Sequence, residues 1–177
     1  ESSSELELLE VDHKIPEDIP RITMAEAKAL LAEKGKKYSD EDDLDPEGEK
    51  LLGEIVKEKY GSEFVFLTNF PFAVRPFYVM KPEEDSNGTK SFDLLFNGVE
   101  IATGAQREHQ LEILEKQAKG KGLDLDKMPE YKDLFKYGCP PHGGVGFGLD
   151  RITQRLLKLD NVREAGLLPR DPERMNP

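Results

Sequence analysis

The sequence between residues 91 and 107 is SFDLLFNGVEIATGAQR. It consists of two largely apolar runs on either side of an Asn-Gly pair at 97–98, and such a pair between apolar runs is a strong short-range signal for a β-hairpin. The pattern therefore predicts one strand at 91–96 and a second at 99–105, joined by a two-residue turn. Four of the candidate site residues lie on this hairpin or just after its second strand: Asp93, Glu100, Thr103 and Arg107.

The register of the hairpin brings two carboxylates together. With a two-residue turn, Glu100 lies opposite Leu95 and Asp93 lies opposite Ala102, so Asp93 and Glu100 are diagonal neighbours on one face. Carboxylates this close repel each other unless a cation or a proton lies between them. Mg²⁺ suits such a pair, because it binds one or two carboxylates and keeps water and phosphate in its other positions. The pair indicates either a magnesium site or two solvated acids on an exposed sheet face.

Two further residues, one on the second strand and one after it, are candidates for ligand binding. Thr103 lies on the opposite face to Glu100 in an ideal strand, so both can act at one cation only if the strand bulges, and we expect the bulge near Gly104. Arg107 directly follows the strand, where its guanidinium can bind a carboxylate through two hydrogen bonds or form an ordinary surface ion pair.

An alternating glycine pattern marks a second candidate region. Gly144, Gly146 and Gly148 leave one face of a predicted strand at 142–148 without side chains, which allows a flat ring or a backbone to lie against it. Arg151 falls in the first turn of the helix that follows, where it can contact a phosphate near the helix N-terminus. The pattern differs from the dinucleotide-binding fingerprint, whose glycines lie in the turn of a βαβ unit. Tight packing against another element remains the alternative explanation.

The rest of the chain alternates between helical and extended patterns. Thr23 and Glu26 have the spacing of a capping box, and Pro46 and Gly61 are typical of the start and the end of a helix. The full prediction is a linker or entering segment at 1–20, helices at 24–34, 46–60, 108–119, 129–136 and 149–158, additional strands at 63–68 and 72–80, and an extended tail at 161–177. Together these elements predict an α+β fold, an antiparallel β-sheet with flanking helices.

Composition excludes several classes of protein. The chain has 177 residues and no apolar window long enough to span a bilayer, nor does it show a signal-peptide pattern. Its one cysteine, Cys139, excludes an internal disulfide framework and a cysteine-based zinc site. We therefore expect a cytoplasmic protein without membrane contact.

The net charge of −11 is concentrated at the beginning of the chain. Residues 1–60 contain 18 acidic and 9 basic residues, whereas the remaining 117 contain 18 acidic and 16 basic residues. An acidic surface repels phosphate backbones, so the composition does not predict a free-standing nucleic-acid binder. Contact with RNA would require a local basic patch.

Residues 64–177 closely resemble the last part of the catalytic domain of aspartyl-tRNA synthetases of the archaeal and eukaryotic type, which are class II aminoacyl-tRNA synthetases. Each matching string is unspecific alone, but their combination and order are specific. The strings are RPFY (75–78), SFD (91–93), EIATGAQREH (100–109), YGCPPHGG (137–144), the glycine strand with Asp150-Arg151, LDNVR (159–163) and PRDP (169–172). Residues 21–60 resemble the helical stretch that precedes this region. Asp150 departs from the family, which usually has Glu there.

The resemblance implies roles for residues around the hairpin. Asp93, Glu100 and Thr103 resemble the ligands of Mg²⁺–ATP, with Thr103 at a position where the family usually has Ser. Arg107 resembles the arginine that binds the side-chain carboxylate of aspartate. Arg75 stands where the family has a basic residue near the same carboxylate, and Thr103 also belongs to this aspartate site.

The resemblance also implies a nucleotide site on the glycine strand. Arg151 resembles the motif 3 arginine that contacts the ATP γ-phosphate, and Gly144, Gly146 and Gly148 would lie beneath the adenosine. His142 would lie close to ATP in a role that the family pattern leaves undefined. Arg107 and Arg151 are accordingly the expected catalytic residues.

At the level of the whole protein, the resemblance implies an aspartate–tRNA ligase that uses ATP and Mg²⁺, acts on tRNA(Asp) and forms a homodimer. Residues 21–177 would be the C-terminal part of its catalytic domain, without the anticodon-binding domain, motif 1 and motif 2. Because motif 2 supplies charge stabilisation at the α-phosphate, we expect the 177 residues to be inactive alone. The alternatives are an asparaginyl-tRNA synthetase, against which PRDP at 169–172 speaks, a paralogue that makes asparagine or uses another substrate, and a non-catalytic domain that binds a nucleotide or a partner.

Overall fold

The computed structural model describes residues 3–9, 11, 16–83 and 86–173 of the chain. The helices in these ranges are α1 (Ser3–Leu8), α2 (Met24–Glu33), α3 (Pro46–Tyr60), α4 (Leu111–Gly120), α5 (Pro129–Lys136) and α6 (Leu149–Leu156). The strands are β1 (Arg21–Thr23), β2 (Phe64–Thr68), β3 (Ser91–Phe96), β4 (Val99–Arg107) and β5 (His142–Phe147). No helix in the described part of the chain has the length and apolar character needed to cross a membrane.

The strands form one sheet in the order β1-β2-β3-β4-β5. Neighbouring strands from β2 to β5 run antiparallel, whereas β1 pairs with β2 in parallel. The predicted α+β fold of a sheet with flanking helices is confirmed. The parallel strand β1 was not predicted, because three residues directly before a helix cap are too few to show an extended pattern.

Local capping explains where α2 and α3 begin. The Thr23 hydroxyl accepts a hydrogen bond from the Glu26 backbone N–H at 3.2 Å, and the Glu26 carboxylate accepts one from the Thr23 N–H at 2.7 Å. In α3 the Asp45 carboxylate accepts the Gly48 N–H, and the helix ends at Gly61 with a φ of 64°. Both predicted helices are confirmed, since these caps satisfy backbone groups that a helix end leaves free.

The two faces of the sheet have different surroundings. We call the face that carries Leu67, Asp93 and Leu95 the front face; its β1–β3 end is covered by α2 and α3. The buried core beneath these helices consists of Ile22, Met24, Ala27, Leu31, Leu44, Leu52, Ile55, Val56, Val65, Leu67, Phe70 and Leu95. On the opposite, back face the half-buried rings of Phe64 and Phe66 contact Phe96 and Phe92. The candidate site occupies the part of the front face that these helices leave open.

The structure corrects three predicted segments. The predicted strand at 72–80 is instead a 3₁₀ turn at Phe72–Val74 followed by loop, with a single bridge between Val79 and Arg107; Pro76 removes a backbone donor that a strand would need. The tail expected to be extended contains a 3₁₀ turn at Val162–Ala165. The segment 1–20 contains α1, and its role as a linker or entering segment stays a prediction; residues 1, 2, 10, 12–15 and 174–177 lie outside the described residues. The helix predicted at 108–119 begins later, at Leu111.

Candidate functional site

A β-bulge arranges the site residues of the hairpin. Leu95 pairs with Glu100 as predicted, but Leu94 pairs with Ala102 and Asp93 with Thr103. The predicted pairing of Asp93 with Ala102 is therefore wrong, and so is the bulge expected near Gly104. The extra residue is Ile101, opposite the Leu94/Leu95 junction. Because an inserted residue shifts the strand by one position, Asp93, Glu100 and Thr103 come to share the front face.

Arg75 and Asp93 form a buried ion pair at the centre of this face. The Arg75 Nη2 atom lies 2.6 Å from Asp93 Oδ2, and the exposed fractions of the two side chains are 13% and 9%. Arg75 Nη1 also lies 3.4 Å from Thr103 Oγ1, and the guanidinium carbon lies 3.6 Å from the centre of the Phe70 ring. The other carboxylate oxygen, Asp93 Oδ1, is buried and has no hydrogen-bond partner.

A second ion pair joins Glu100 to Arg151 at the start of α6. Arg151 Nη1 donates to the Glu100 backbone oxygen at 3.0 Å and lies 3.4 Å from Glu100 Oε1. Burial raises the pKa of Glu100, and the charge of nearby Asp93 raises it further. The site thus contains two ion pairs, each formed by one carboxylate and one arginine.

Glu49 of α3 belongs to the same charge cluster and was not predicted. Burial raises the pKa of Glu49 to about 7, with further contributions from Glu100 and Asp93. Glu49 also lines a surface cavity with Glu100 and Arg151. Acidic residues are common in the first turn of a helix, because the helix dipole stabilises negative charge there. The sequence therefore contained no signal that separated Glu49 from other acids.

A cavity of about 430 Å³ lies on the front face between the hairpin and β5. Its polar lining includes Arg75, Thr103 and Arg107, and its floor includes Gly144 and Gly146. Arg107 and Thr103 reach the same face because they alternate along β4 and pair with His142 and Gly146 of β5. The structure therefore brings together the three residues predicted to bind the amino acid.

The glycines of β5 leave space for these side chains. A Cβ atom built on Gly144 would lie 3.2 Å from Arg107 Nη2, whereas one built on Gly146 would meet no atom within 4 Å. Gly148 caps α6, and its N–H donates to the Ile101 backbone oxygen at 2.8 Å. The bare strand face that the glycine pattern predicts is present, with Gly144 and Gly146 on the front and Val145 and Phe147 on the back.

His142 occupies the opposite end of β5 from Arg151. Its ring Nδ1 lies 3.1 Å from the Pro140 backbone oxygen and 3.6 Å from Cys139 Sγ, and the residue pairs with Arg107. A role in binding ATP stays a prediction, and the pairing places His142 beside Arg107, which lines the front-face cavity.

The donor set fits one Mg²⁺ ion whose remaining positions would be filled by water and a ligand. Asp93 Oδ1 is an unpartnered buried oxygen, and Glu100 is a carboxylate whose charge its surroundings disfavour. No group of three His, Cys, Asp or Glu residues in the described ranges could hold a metal alone. A pair of carboxylates without a third is what Mg²⁺ uses when phosphate and water complete its coordination.

Comparison with known proteins places these features in one family. Residues 2–172 match the model of tRNA synthetases class II (D, K and N). Over 160 residues, the chain is 49% identical to an aspartate–tRNA(Asp/Asn) ligase of Aeropyrum pernix. The aligned region covers 90% of this chain and 36% of that protein.

Solved structures support the same grouping. An aspartyl-tRNA synthetase from Entamoeba histolytica superposes with a TM-score of 0.89 at 41% identity, covering 94% of this chain and 34% of the other. An asparaginyl-tRNA synthetase from the same organism gives a TM-score of 0.88 at 30% identity, covering 99% and 42%. The chain therefore spans about a third of the length of the aspartate–tRNA ligases that it matches.

Proposed function

Because the chain belongs to the class II tRNA synthetases of the D, K and N group, we propose that it forms the aspartate- and ATP-binding part of an aspartate–tRNA ligase. In the full reaction ATP and aspartate form aspartyl-AMP with release of pyrophosphate, and the aspartyl group then moves to the 3′ end of the tRNA with release of AMP. The observation that carries the proposal is the front-face cavity, which Arg75 and Arg107 line together with Thr103. Two guanidinium groups in one small cavity favour a ligand that carries a carboxylate.

Arg107 is the proposed partner of the aspartate side chain. Its guanidinium lies 5.3 Å from the centre of the Tyr78 ring, and the absence of a side chain at Gly144 gives it room over β5. A cation–π contact of this kind restricts the position of the guanidinium, which reduces the entropy lost when it binds a carboxylate. Arg75 lines the same cavity.

The nucleotide would lie further along β5, towards α6. Gly146 and Gly148 offer a strand surface without side chains, and Arg151 at the start of α6 would bind a terminal phosphate. Asp93 and Glu100, with Thr103 beside them, would hold Mg²⁺, which neutralises phosphate charge when bound. Arg151 would supply positive charge on one side of the triphosphate. We propose that the family's motif 2 arginine, on the other side, belongs to the rest of the parent enzyme.

The proposed assignment has consequences for the parent protein. Its tRNA substrate would be tRNA(Asp), and the name of the Aeropyrum pernix relative adds tRNA(Asn) as a second possible substrate. We further propose a cytoplasmic, homodimeric parent. The isolated chain should bind ligands without turnover, so aspartate-dependent pyrophosphate exchange by the 177-residue chain would contradict this part of the proposal.

Isothermal titration of L-aspartate and L-asparagine into the chain, with Mg²⁺ and ATP present, tests the proposal. We expect aspartate to bind more tightly than asparagine, and Arg107→Gln to weaken aspartate binding by about 10- to 100-fold, the effect of losing charge-assisted hydrogen bonds. Arg21→Gln is the matched control, since Arg21 lies at the start of β1 and contacts Phe66 on the back face. Equal effects of the two substitutions would contradict the assignment of the cavity.

An asparaginyl-tRNA synthetase is the second candidate, because the Entamoeba histolytica asparaginyl enzyme superposes almost as well as the aspartyl enzyme. Arg75 is already paired with Asp93, and the amide of asparagine carries no charge to pair with Arg107, so the composition of the cavity favours aspartate. Tighter binding of asparagine in the same titration would reverse the choice. Binding of ATP without either amino acid would instead favour a nucleotide-binding paralogue.

A further inference from the structure

The two ion pairs of the site differ in length and burial. Arg75 Nη2 lies 2.6 Å from Asp93 Oδ2, with exposed fractions of 13% and 9%, whereas Arg151 Nη1 lies 3.4 Å from Glu100 Oε1, with exposed fractions of 53% and 33%. Electrostatic interactions are stronger where water is excluded. The Arg75–Asp93 pair is therefore the one that can control what else binds at the carboxylates.

Arg75 neutralises the charge of Asp93 but leaves one of its carboxylate oxygens without a hydrogen bond. One oxygen, Asp93 Oδ2, accepts from Arg75, while Oδ1 is buried and lacks a hydrogen-bond partner. A divalent cation at Asp93 would thus find a free oxygen, but it would also meet the positive charge of the guanidinium on the same carboxylate. The two cations compete electrostatically for one anion.

Arg75 also has an alternative partner within reach. The same guanidinium lines the cavity that Arg107 lines, and its Nε atom is buried without a hydrogen-bond partner. A ligand carboxylate in that cavity would offer the negative charge that Asp93 now supplies.

We propose that Arg75 is a positioning residue that exchanges between Asp93 and the carboxylate of the bound amino acid, and thereby couples cation binding to aspartate binding. The inference rests on the proposed function, because it takes Asp93 as a cation ligand and the cavity as the aspartate site. Aspartate draws the guanidinium away from Asp93, so the cation binds more tightly. By linkage, the cation strengthens aspartate binding by the same factor.

The proposal predicts an unusual sign for a substitution in a binding site. Arg75→Gln removes the competing charge, so the variant should bind Mn²⁺, a probe for the Mg²⁺ site, about tenfold more tightly than the unmodified chain in the absence of aspartate. The same variant should lose the increase in Mn²⁺ affinity that aspartate causes. Arg75→Lys retains the charge and should keep Mn²⁺ affinity close to that of the unmodified chain.

The experiment is a titration of Mn²⁺ followed by electron paramagnetic resonance, with and without L-aspartate, on the whole chain. Arg21→Gln again serves as the control for loss of an arginine. Removing Arg75 leaves a buried carboxylate uncompensated, which destabilises a fold, so thermal unfolding is measured with and without Mn²⁺. Arg75→Gln should unfold at a lower temperature than the unmodified chain without metal and gain more from Mn²⁺.

The outcomes separate this inference from the function on which it rests. Unchanged or weaker Mn²⁺ binding by Arg75→Gln, in a chain whose unmodified form binds Mn²⁺, would overturn the exchange and leave the proposed function intact. An aspartate effect on Mn²⁺ affinity that persists in Arg75→Gln would overturn it as well. Absence of Mn²⁺ binding from all forms, even with ATP present, would contradict the cation site itself and therefore both proposals.

Discussion

The β1–β3 end of the sheet and its β5 end differ in how deeply their side chains are buried. At the first end Leu67 and Leu95 are 1% exposed beneath α2 and α3. At the other end Val145 and Phe147 are 50% and 64% exposed, and the front of β5 carries glycines. The covered end thus supplies buried apolar contacts that stabilise the fold, whereas the open end is the surface to which we propose that ligands bind.

Between these two ends lies the hairpin of β3 and β4, which carries charge. Asp93 and Glu100 stand where the front-face core of Leu67 and Leu95 gives way to the glycines of β5. Carboxylates and arginines in such a half-buried position interact more strongly than on an open surface. The comparison predicts that substitutions at the covered end change the free energy of unfolding, and that those at the open end change binding.

The largest effect should follow from Leu95→Ala at the covered end. The side chain is buried against α3, and truncation of a buried leucine costs about 2–5 kcal/mol through lost transfer energy and the remaining cavity. Phe147→Ala is the matched substitution at the open end, where the side chain is 64% exposed, and it should cost less than about 1 kcal/mol. Urea denaturation monitored by circular dichroism measures both. Losses of equal size would show that the β5 end is as tightly packed as the β1–β3 end.

A smaller loss is expected for Gly104→Ala on the back face of β4. A Cβ atom there would lie 2.6 Å from the tip of the Phe92 ring and 3.0 Å from the Gly144 backbone oxygen. Overpacking of this kind costs about 1–3 kcal/mol. Phe92→Leu in the same chain should recover part of the loss, because a shorter side chain leaves room for the methyl group. Additive losses in the double variant would show that the ring contact is not the cause.

Glu49 lies between the two ends of the sheet, and its carboxyl should make the free energy of unfolding depend on pH. Its pKa is raised to about 7 from an ordinary value of 4.5. Because the pKa of the Glu49 carboxyl is raised by folding, its contribution to the free energy of unfolding is complete below pH 4.5. This contribution is lost as the pH rises through about 7.

Glu49→Gln cannot ionise, so the stability of the variant relative to the unmodified chain should rise between pH 5 and pH 8. The change should be on the order of 1 kcal/mol, reduced from the full linkage value because the side chain is half-exposed and screened by solvent. Urea denaturation at a series of pH values measures it. Glu54→Gln, an exposed position on the same helix, is the control. A parallel pH profile for both variants would remove Glu49 from the charge cluster.

Features with a local cause could be predicted from the sequence. The capping box of Thr23 and Glu26, the helix between Pro46 and Gly61 and the Asn-Gly hairpin turn each depend on neighbouring residues alone. The glycine face of β5 was also predicted, because alternation along a strand is a property of sequence spacing. The family resemblance then assigned expected roles to these positions.

Features that depend on distant partners were missed or misplaced. The bulge at Ile101 is set by the pairing of β4 with β3, whereas Gly104 accommodates the Phe92 ring. The strand β1 exists only because β2, more than 40 residues later, pairs with it. Glu49 joined the site through the packing of α3 on the sheet, which spacing alone does not reveal.

The smallest effect on stability, and the sharpest contrast with Gly104→Ala, is expected for Gly146→Ala on the front of β5. A Cβ atom there would meet nothing within 4 Å, so the free energy of unfolding should stay unchanged or rise by up to about 1 kcal/mol as the unfolded chain loses freedom. The added methyl group would nevertheless stand where the adenosine is proposed to lie, so titration calorimetry should show weaker ATP binding. Two glycine-to-alanine changes on paired strands would then act on different properties, because one glycine makes room for a ring of the protein and the other for a ring of the ligand. Unchanged ATP affinity in a stable Gly146→Ala chain would place the nucleotide elsewhere on the sheet.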